Sequence, residues 1–241
     1  MARLANKQKE RLNVEKEKRV AMNQTSFIVV DAINGFCKKG PMADIETMNT
    51  VPAIVDYLKQ GVEKFQSIVL FQDKHEKDAI EFKSFPEHCL RDDAESEIVD
   101  EIYEIIKPHL GNFDLEIMCE SKNSTNGLHS LIDSYSIKRL SQGIKDNKLD
   151  EYKQYAGFDS RIQNVVIVGF CTDICVMQFA VGLKTLFNEF NVDIDVVVPI
   201  DGVDTYHNED IDHDVYESNF WALKFMKEAG ISVVQTVVLE D

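Results

Sequence analysis

Cys171 and Cys175 stand four residues apart in VVIVGFCTDICVMQFA (165–180), just past a run of β-branched residues that ends at a glycine. Four kinds of chemistry use such cysteines: a metal pair, a redox pair, a structural disulfide, or one nucleophile beside a bystander. A redox pair favours C-x-x-C spacing, and a zinc site needs a second ligand pair close by; the sequence offers neither. A thiolate nucleophile needs a proton acceptor and a group that holds charge. Asp31, Asp73, His75 and Lys122 are the chemically capable residues that also follow short apolar runs. Taken singly, each has a plain structural role: Asp after a strand caps turns, Lys faces solvent, and Cys fills small gaps in a core. Their shared position in the pattern is harder to dismiss.

The elements that must position them follow from period. Strand-length apolar runs rich in Val and Ile recur at 26–31, 67–73, 113–121, 165–170, 193–201 and 231–238, and they are nearly continuous rather than alternating. Such runs suit strands covered on both faces. Helical segments are expected at 50–61, 95–107, 173–190 and 214–230, with Gly61 and Gly230 closing the first and last. The predicted fold is α/β: a three-layer, doubly wound, mainly parallel six-stranded sheet with helices on both faces. Residues 1–24 carry seven Lys or Arg against three Glu and no Gly or Pro, and read as a polar, helical extension ahead of a single domain at 25–241. The weakly patterned stretch 136–162 reads as an insertion or flap.

An open parallel sheet places its site beyond the carboxyl ends of its strands. The first strand then delivers Asp31, the second Asp73 and His75, the third Lys122, and the fourth the two cysteines. Thr172 or Asp173 is expected to cap a helix that begins at Ile174, which puts Cys175 in a first helical turn. There, free N–H groups and the helix dipole favour a thiolate and can hold an oxyanion. Cys171 lies in the turn itself without that support, so Cys175 is the better nucleophile, with Asp31 as base and Lys122 as the balancing charge.

Composition sets the context. The 241 residues carry 44% hydrophobic side chains, enough for a sizeable core, and a formal charge of −16, which argues against nucleic acid and anionic membranes as partners. Five cysteines, no signal-like start and no bilayer-length apolar segment indicate a cytoplasmic protein with reduced thiols.

From Ser26 onward the chain resembles the isochorismatase-like cysteine hydrolases, and among them the nicotinamidases. FIVVDAINGFC is similar to the family's opening strand with its catalytic Asp, here Asp31, and an aromatic at Phe36. ESKNSTNG is similar to the segment carrying the catalytic Lys, here Lys122, and VGFCTDICV to the nucleophile segment, here Cys175. The resemblance implies a cis peptide between Phe170 and Cys171, and an oxyanion held by the backbone N–H groups of Cys171 and Cys175. In QDKHEKDAIEFKSFPEHC (72–89), Asp73, His75 and His88 resemble the nicotinamidase metal site. Two imidazoles and a carboxylate suit one divalent ion, zinc before manganese or iron. Glu81 stands where some relatives supply a fourth ligand. Phe36 and Phe85 would sandwich a pyridine ring, with Phe85 in a place where relatives often carry Trp.

The implied activity is hydrolysis of nicotinamide, a small-molecule carboxamide, to nicotinate and ammonia in NAD salvage. A carbamoyl or ureido amidohydrolase would need Asp31, Lys122 and Cys175 but not the metal trio, and a silent binding protein would need neither. A homo-oligomer is among the expectations. His109, His129 and the acidic stretch 201–214 with His207 and His213 read as solvated or structural, and Cys37, Cys89 and Cys119 as buried thiols.

Overall fold

The computed structural model describes residues 1–112, 114–131 and 161–241. Its strands are β1 (Glu15–Ala21), β2 (Thr25–Val30), β3 (Ser67–Asp73), β4 (Ile117–Lys122), β5 (Asn164–Gly169), β6 (Asp195–Pro199) and β7 (Ser232–Glu240). They form one sheet in the order β1-β7-β6-β5-β2-β3-β4, and every pairing is parallel. Its α-helices, numbered along the described residues, are α1 (Asn6–Leu12), α2 (Asn34–Cys37), α3 (Val51–Gly61), α4 (Asp100–Ile106), α5 (Leu128–Leu131), α6 (Met177–Glu189) and α7 (Val215–Glu228).

The near-continuous apolar strands are explained by the two faces. Along β2, Ile28 and Val30 join the core that carries α6 and α7, whereas Phe27 and Val29 join the core that carries α3 and α4. Val165 and Ile167 of β5 face the first core, and Val166 and Val168 the second. Period-two alternation thus places an apolar side chain on each side of the central strands, which are buried throughout.

The sheet has seven strands rather than six because half of the expected N-terminal helix is strand. Only residues 6–12 are helical; Glu15–Ala21 pair with β7 along the sheet edge, from Glu15 opposite Val234 to Ala21 opposite Glu240. EKEKRVA hides this in the sequence, since an edge strand needs little apolar content: Val20 alone is fully buried, Lys18 is half-buried against Asp195, and the other charged residues face solvent. Those charges also discourage further pairing at the edge. Of the expected 95–107 helix, only Asp100–Ile106 is α-helical, after a 3-10 turn at Ala94–Ser96. Gly230 does follow α7 with φ +87, whereas Gly61 lies inside the last turn of α3. Apart from 161 and 162, the stretch expected as an insertion lies outside the described residues.

β2 and β5 lie side by side at the centre. From β2 the chain proceeds outward to β3 and β4 on one side, while β5 leads to β6 and β7 on the other. That is a topological switch point, where a crevice opens beyond the strand ends. Gly169, the last residue of β5, has φ +119, and a Cβ there would lie 1.9 Å from the Val30 carbonyl oxygen. The two central strands can approach this closely only without a side chain. Gly169→Ala is therefore expected to destabilise the fold by about 3 kcal/mol or more, from φ strain plus overlap with backbone. Urea unfolding of the two proteins measures it.

Candidate active site

The four strand ends deliver the expected residues to one place. Asp31 follows β2 with φ +48, Asp73 and Lys122 close β3 and β4 and face each other in register, and Cys175 follows β5. All four are buried. The Lys122 ammonium lies 2.7 Å from Asp31 Oδ2 and 2.5 Å from Asp73 Oδ1; it donates to the Ser124 carbonyl at 3.1 Å and stands 3.8 Å from Cys175 Sγ. The Asp31 contact is an ion pair without hydrogen-bond alignment, so neither carboxylate oxygen of Asp31 has a hydrogen-bond partner. One lysine thus holds two carboxylates and the thiol.

Electrostatics follow from that burial. Desolvation and the negative charge of Asp73 raise the Asp31 pKa to about 7, against the opposing pull of Lys122. Desolvation pushes the Cys175 thiol well above its usual range, although Lys122 pulls it down. Burial disfavours a charged Lys122, but the two carboxylates outweigh it and hold the ammonium firmly protonated. The resting pair is accordingly a neutral thiol beside a carboxyl group that titrates near neutrality. This differs from a thiolate preformed by a helix dipole.

The nucleophile turn also differs from the expected capped α-helix. Thr172–Val176 form one π-helical turn that continues into α6, and no side chain caps it. The Cys171 carbonyl accepts from the amides of Ile174 and Val176, and the Phe170–Cys171 peptide is cis, as the resemblance implied. Asp173 turns away from the helix start; its carboxylate accepts instead from Thr205 Oγ1 and His213 Nε2.

Asp73, His75 and His88 bring ligand atoms within 4.8 Å of one another. His75 Nδ1 faces Asn123 Oδ1 at 3.3 Å, and His88 Nδ1 faces the Pro86 carbonyl at 2.7 Å. A proton on each Nδ1 leaves both Nε2 lone pairs free, the arrangement that ligating imidazoles use. Asp73 Oδ2, His75 Nε2 and Glu81 Oε1 are all buried without a hydrogen-bond partner. Glu81 Oε1 lies 3.8 Å from His75 Nε2, and its other oxygen accepts the Thr125 amide at 3.0 Å. Orphaned acceptors converging on one point are costly unless a cation sits among them. The donor set fits a divalent ion of the zinc type, with Glu81 able to join. Burial lowers the His88 pKa and favours its neutral, ligating form, whereas the Asp73 and Glu81 carboxylates overcome burial at His75 and raise its pKa, a proton serving as the cation the site attracts.

Phe36, Met42, Phe85, Thr125 and Ile174 close a narrow pocket over Cys175 and His88. With about 10 Å³ of free space, it admits a ring only when its wall moves, and Phe85, Thr125 and Ile174 are half-buried parts of that wall. Three residues of the surroundings escaped the sequence reading: Asn123, which orients His75; Thr125, which orients Glu81 and donates to Gln178 Oε1; and His213. Asn123 and Thr125 flank the Lys122 motif, a usable signal. His213 had none, since its partner Asp173 lies 40 residues away. Far from being solvated, it is half-buried and stacked on Tyr206. Cys37 and Cys89 are buried as expected, but Cys119 is exposed.

The parallel doubly wound sheet thus gathers the buried Asp31, Lys122 and Cys175 at its switch point. Residues 124–236 match the isochorismatase domain model. Nicotinamidase 1 of Arabidopsis thaliana is 25% identical over 209 residues, covering 82% of this chain and 75% of that protein. Among solved structures, a pyrazinamidase of Pyrococcus horikoshii in complex with zinc aligns with TM-score 0.59 and 22% identity, over 88% of this chain and 99% of that one. N-carbamoylsarcosine amidase of Thermoplasma acidophilum aligns with TM-score 0.57 and 20% identity, over 88% and 96%. In sequence the chain is thus similar to isochorismatase-like hydrolases, through residues 124–236 and through the alignment with nicotinamidases. No helix of the described residues is long and apolar enough to cross a membrane.

Two outcomes test the site without any substrate. The protein purified with zinc present is expected to hold one equivalent, and His75→Ala or His88→Ala to lower that occupancy at least tenfold at equal free metal, measured by metal analysis after equilibrium dialysis. Lys122→Met removes the charge that pulls the Cys175 thiol down; alkylation of Cys175 by iodoacetamide is expected to slow, with peptide mass mapping as the readout.

Proposed function

We propose that this chain is a metal-containing cysteine amidohydrolase that converts nicotinamide to nicotinate and ammonia through a thioester, a cytoplasmic step of NAD salvage. One observation carries the reading. The buried Asp31–Lys122–Cys175 group shares Asp73 with a set of orphaned metal-type lone pairs, so a nucleophile and an anchoring point for a heteroaromatic ring occupy a single pocket.

Asp31 accepts the thiol proton as Sγ of Cys175 attacks the carboxamide carbon. The backbone N–H groups of Cys171 and Cys175 hold the tetrahedral oxyanion. Asp31 then returns the proton to the departing ammonia, and water, deprotonated by the same carboxylate, hydrolyses the thioester. Lys122 keeps Asp31 able to ionise in a dry site and offsets the negative charge that builds beside it. A divalent ion held by Asp73, His75 and His88, with Glu81 as a further ligand, would supply a Lewis-acidic anchor for the pyridine nitrogen. Phe36 and Phe85 approach the His88 ring to 5.8 and 6.4 Å and flank the same space, each stacking contact being worth about 0.5–1.5 kcal/mol.

A carbamoyl or ureido amidohydrolase would use the same three catalytic groups but would leave the buried trio of lone pairs without a purpose. Ammonia and nicotinate release from nicotinamide, measured before and after dialysis against a chelator, separates the two readings. Activity lost with the ion and restored by it supports nicotinamide hydrolysis; metal-free activity on a ureido substrate alone would replace it.

Cys175→Ala is expected to abolish turnover with circular dichroism unchanged, while Cys171→Ala, which keeps its amide, retains substantial turnover. Equal loss in both would contradict this division of labour. Because Asp31 must be ionised to accept a proton, and its folded pKa is about 7, kcat/KM should rise with pH through about 7 and fall on acidification. Lys122→Met should move that limb to higher pH and lower kcat by on the order of 10².

A further inference from the structure

The loop after β6 and the nucleophile turn are joined by a cluster that the proposed chemistry does not use. His213 Nε2 lies 2.8 Å from Asp173 Oδ2, and its Nδ1 lies 2.9 Å from the Tyr206 carbonyl oxygen. Both ring nitrogens therefore face acceptors. A neutral imidazole carries one N–H, so either tautomer would point a lone pair at an oxygen at hydrogen-bond distance. Only the doubly protonated ring satisfies both contacts. The ring also stacks on Tyr206, with centroids 4.1 Å apart and planes 10° from parallel.

The other end of this contact is the turn that carries the thiol. Asp173 sits two residues before Cys175 and one before Ile174, which lines the pocket. Its second oxygen accepts from Thr205 Oγ1 at 2.6 Å, and the Thr172 amide donates to the Asp204 carbonyl at 3.0 Å. The loop is itself anchored: Asp204 accepts from Arg3 at 2.9 Å and from Asn219 at 2.8 Å, and Arg3 also donates to the Thr205 carbonyl and pairs with Asp44 at 2.7 Å. Residues 204–206 thus form a rigid post, and Asp173 ties the π turn to it. A π turn has no side-chain cap of its own here, so this tie replaces one.

We propose that His213, as an imidazolium locked between Asp173 and the Tyr206 carbonyl, is a positioning residue that sets the direction of the Cys175 thiol. It makes turnover depend on a second titration, whose contact is lost as pH rises. This rests on the reading of Cys175 as the nucleophile. The hydrogen bond to Asp173 raises the His213 pKa above its ordinary value of 6.5, against partial burial, with Asp214 adding in the same direction. Other ionisable groups on the surrounding elements are Cys171, Asp204 with its partners Arg3 and Asp44, the Tyr206 phenol, Asp210, Asp212, and His207 and Glu209, which lie 3.8 Å apart. A group whose folded pKa is raised keeps its contact at low pH and loses it as pH rises through that value. Ionisation of Asp31 favours turnover as pH rises, and loss of the His213 proton opposes it.

Ring nitrogen NMR of the wild-type protein tests the protonation directly and needs no activity: both His213 nitrogens should carry protons on the acid side of a midpoint that lies above 6.5. A midpoint at or below 6.5 overturns the proposal. In kinetics, His213→Ala should lower kcat about tenfold to a hundredfold, the scale for small misplacement of a reacting group. KM should stay within about twofold, because the metal trio and aromatic walls are untouched. His213→Gln, which can still donate to Asp173 but cannot titrate, should recover much of kcat and flatten the decline with rising pH. Wild-type kcat and pH profile in both variants would sink the idea while Cys175→Ala stayed inactive; turnover surviving in Cys175→Ala would instead sink the nucleophile assignment. If His213→Ala fails to fold, His213→Gln and the NMR midpoint still decide.

Discussion

The site is organised around one buried ammonium. Lys122 lies between the carboxylates of Asp31 and Asp73, with the Cys175 thiol a little farther off, and all of these groups are almost wholly removed from solvent. Burying two carboxylates is tolerable only with a cation between them. Lys122 is therefore structural and electrostatic at once. With Asp31, Asp73 and Glu81 counted as charged, the cluster carries three negative charges against the one on Lys122, a formal excess of two. A divalent ion among the orphaned lone pairs would neutralise it. At His75 the direct contact with Asp73 outweighs burial and raises the pKa, whereas at His88 burial outweighs the same carboxylates and lowers it.

The sheet makes this convergence possible. Asp73 and Lys122 meet because β3 and β4 pair in a register that sets them opposite each other. Asp31 and the nucleophile turn meet because β2 and β5 are the two strands at the switch point, drawn together by Gly169. A shift of one residue in any of these pairings would send the functional side chains to the opposite face. The precision of the site is thus a property of the strand registers, and the loops beyond them supply the wall of the pocket and the converging side chains of His75, His88 and Glu81.

Much of this was legible in the chain. The central strands announced themselves by continuous β-branched runs, and their ends by the Asp, Lys and Cys that broke each run. The metal trio was recognisable as a spaced pattern within a single stretch. What escaped is of a different kind. The edge strand β1 is stabilised by backbone pairing with β7 rather than by an apolar face, so its charged sequence resembled helix. The π turn in place of a capped α-helix, and the pairing of Asp173 with His213, depend on a loop that arrives from distant sequence. Local propensity favours Asp173 as a cap, and the tertiary partners Thr205 and His213 outbid it.

That displaced cap bears on why the thiol rests protonated. An ordinary helix start would aim several free amides at Cys175 and push its pKa down; here burial dominates and raises it, so under the proposed mechanism the thiolate forms only as the proton passes to Asp31. A base with an ordinary carboxylate pKa would be too weak to take that proton, and one far above neutrality would itself be protonated at rest. Asp31, raised to about 7 by desolvation and by Asp73 and restrained by Lys122, lies between those limits. The apparent contradiction of one titrating carboxylate buried beside a second is thereby resolved. Asp73 makes Asp31 basic, Lys122 keeps it from becoming inert, and any cation bound at Asp73 adjusts the balance between the two.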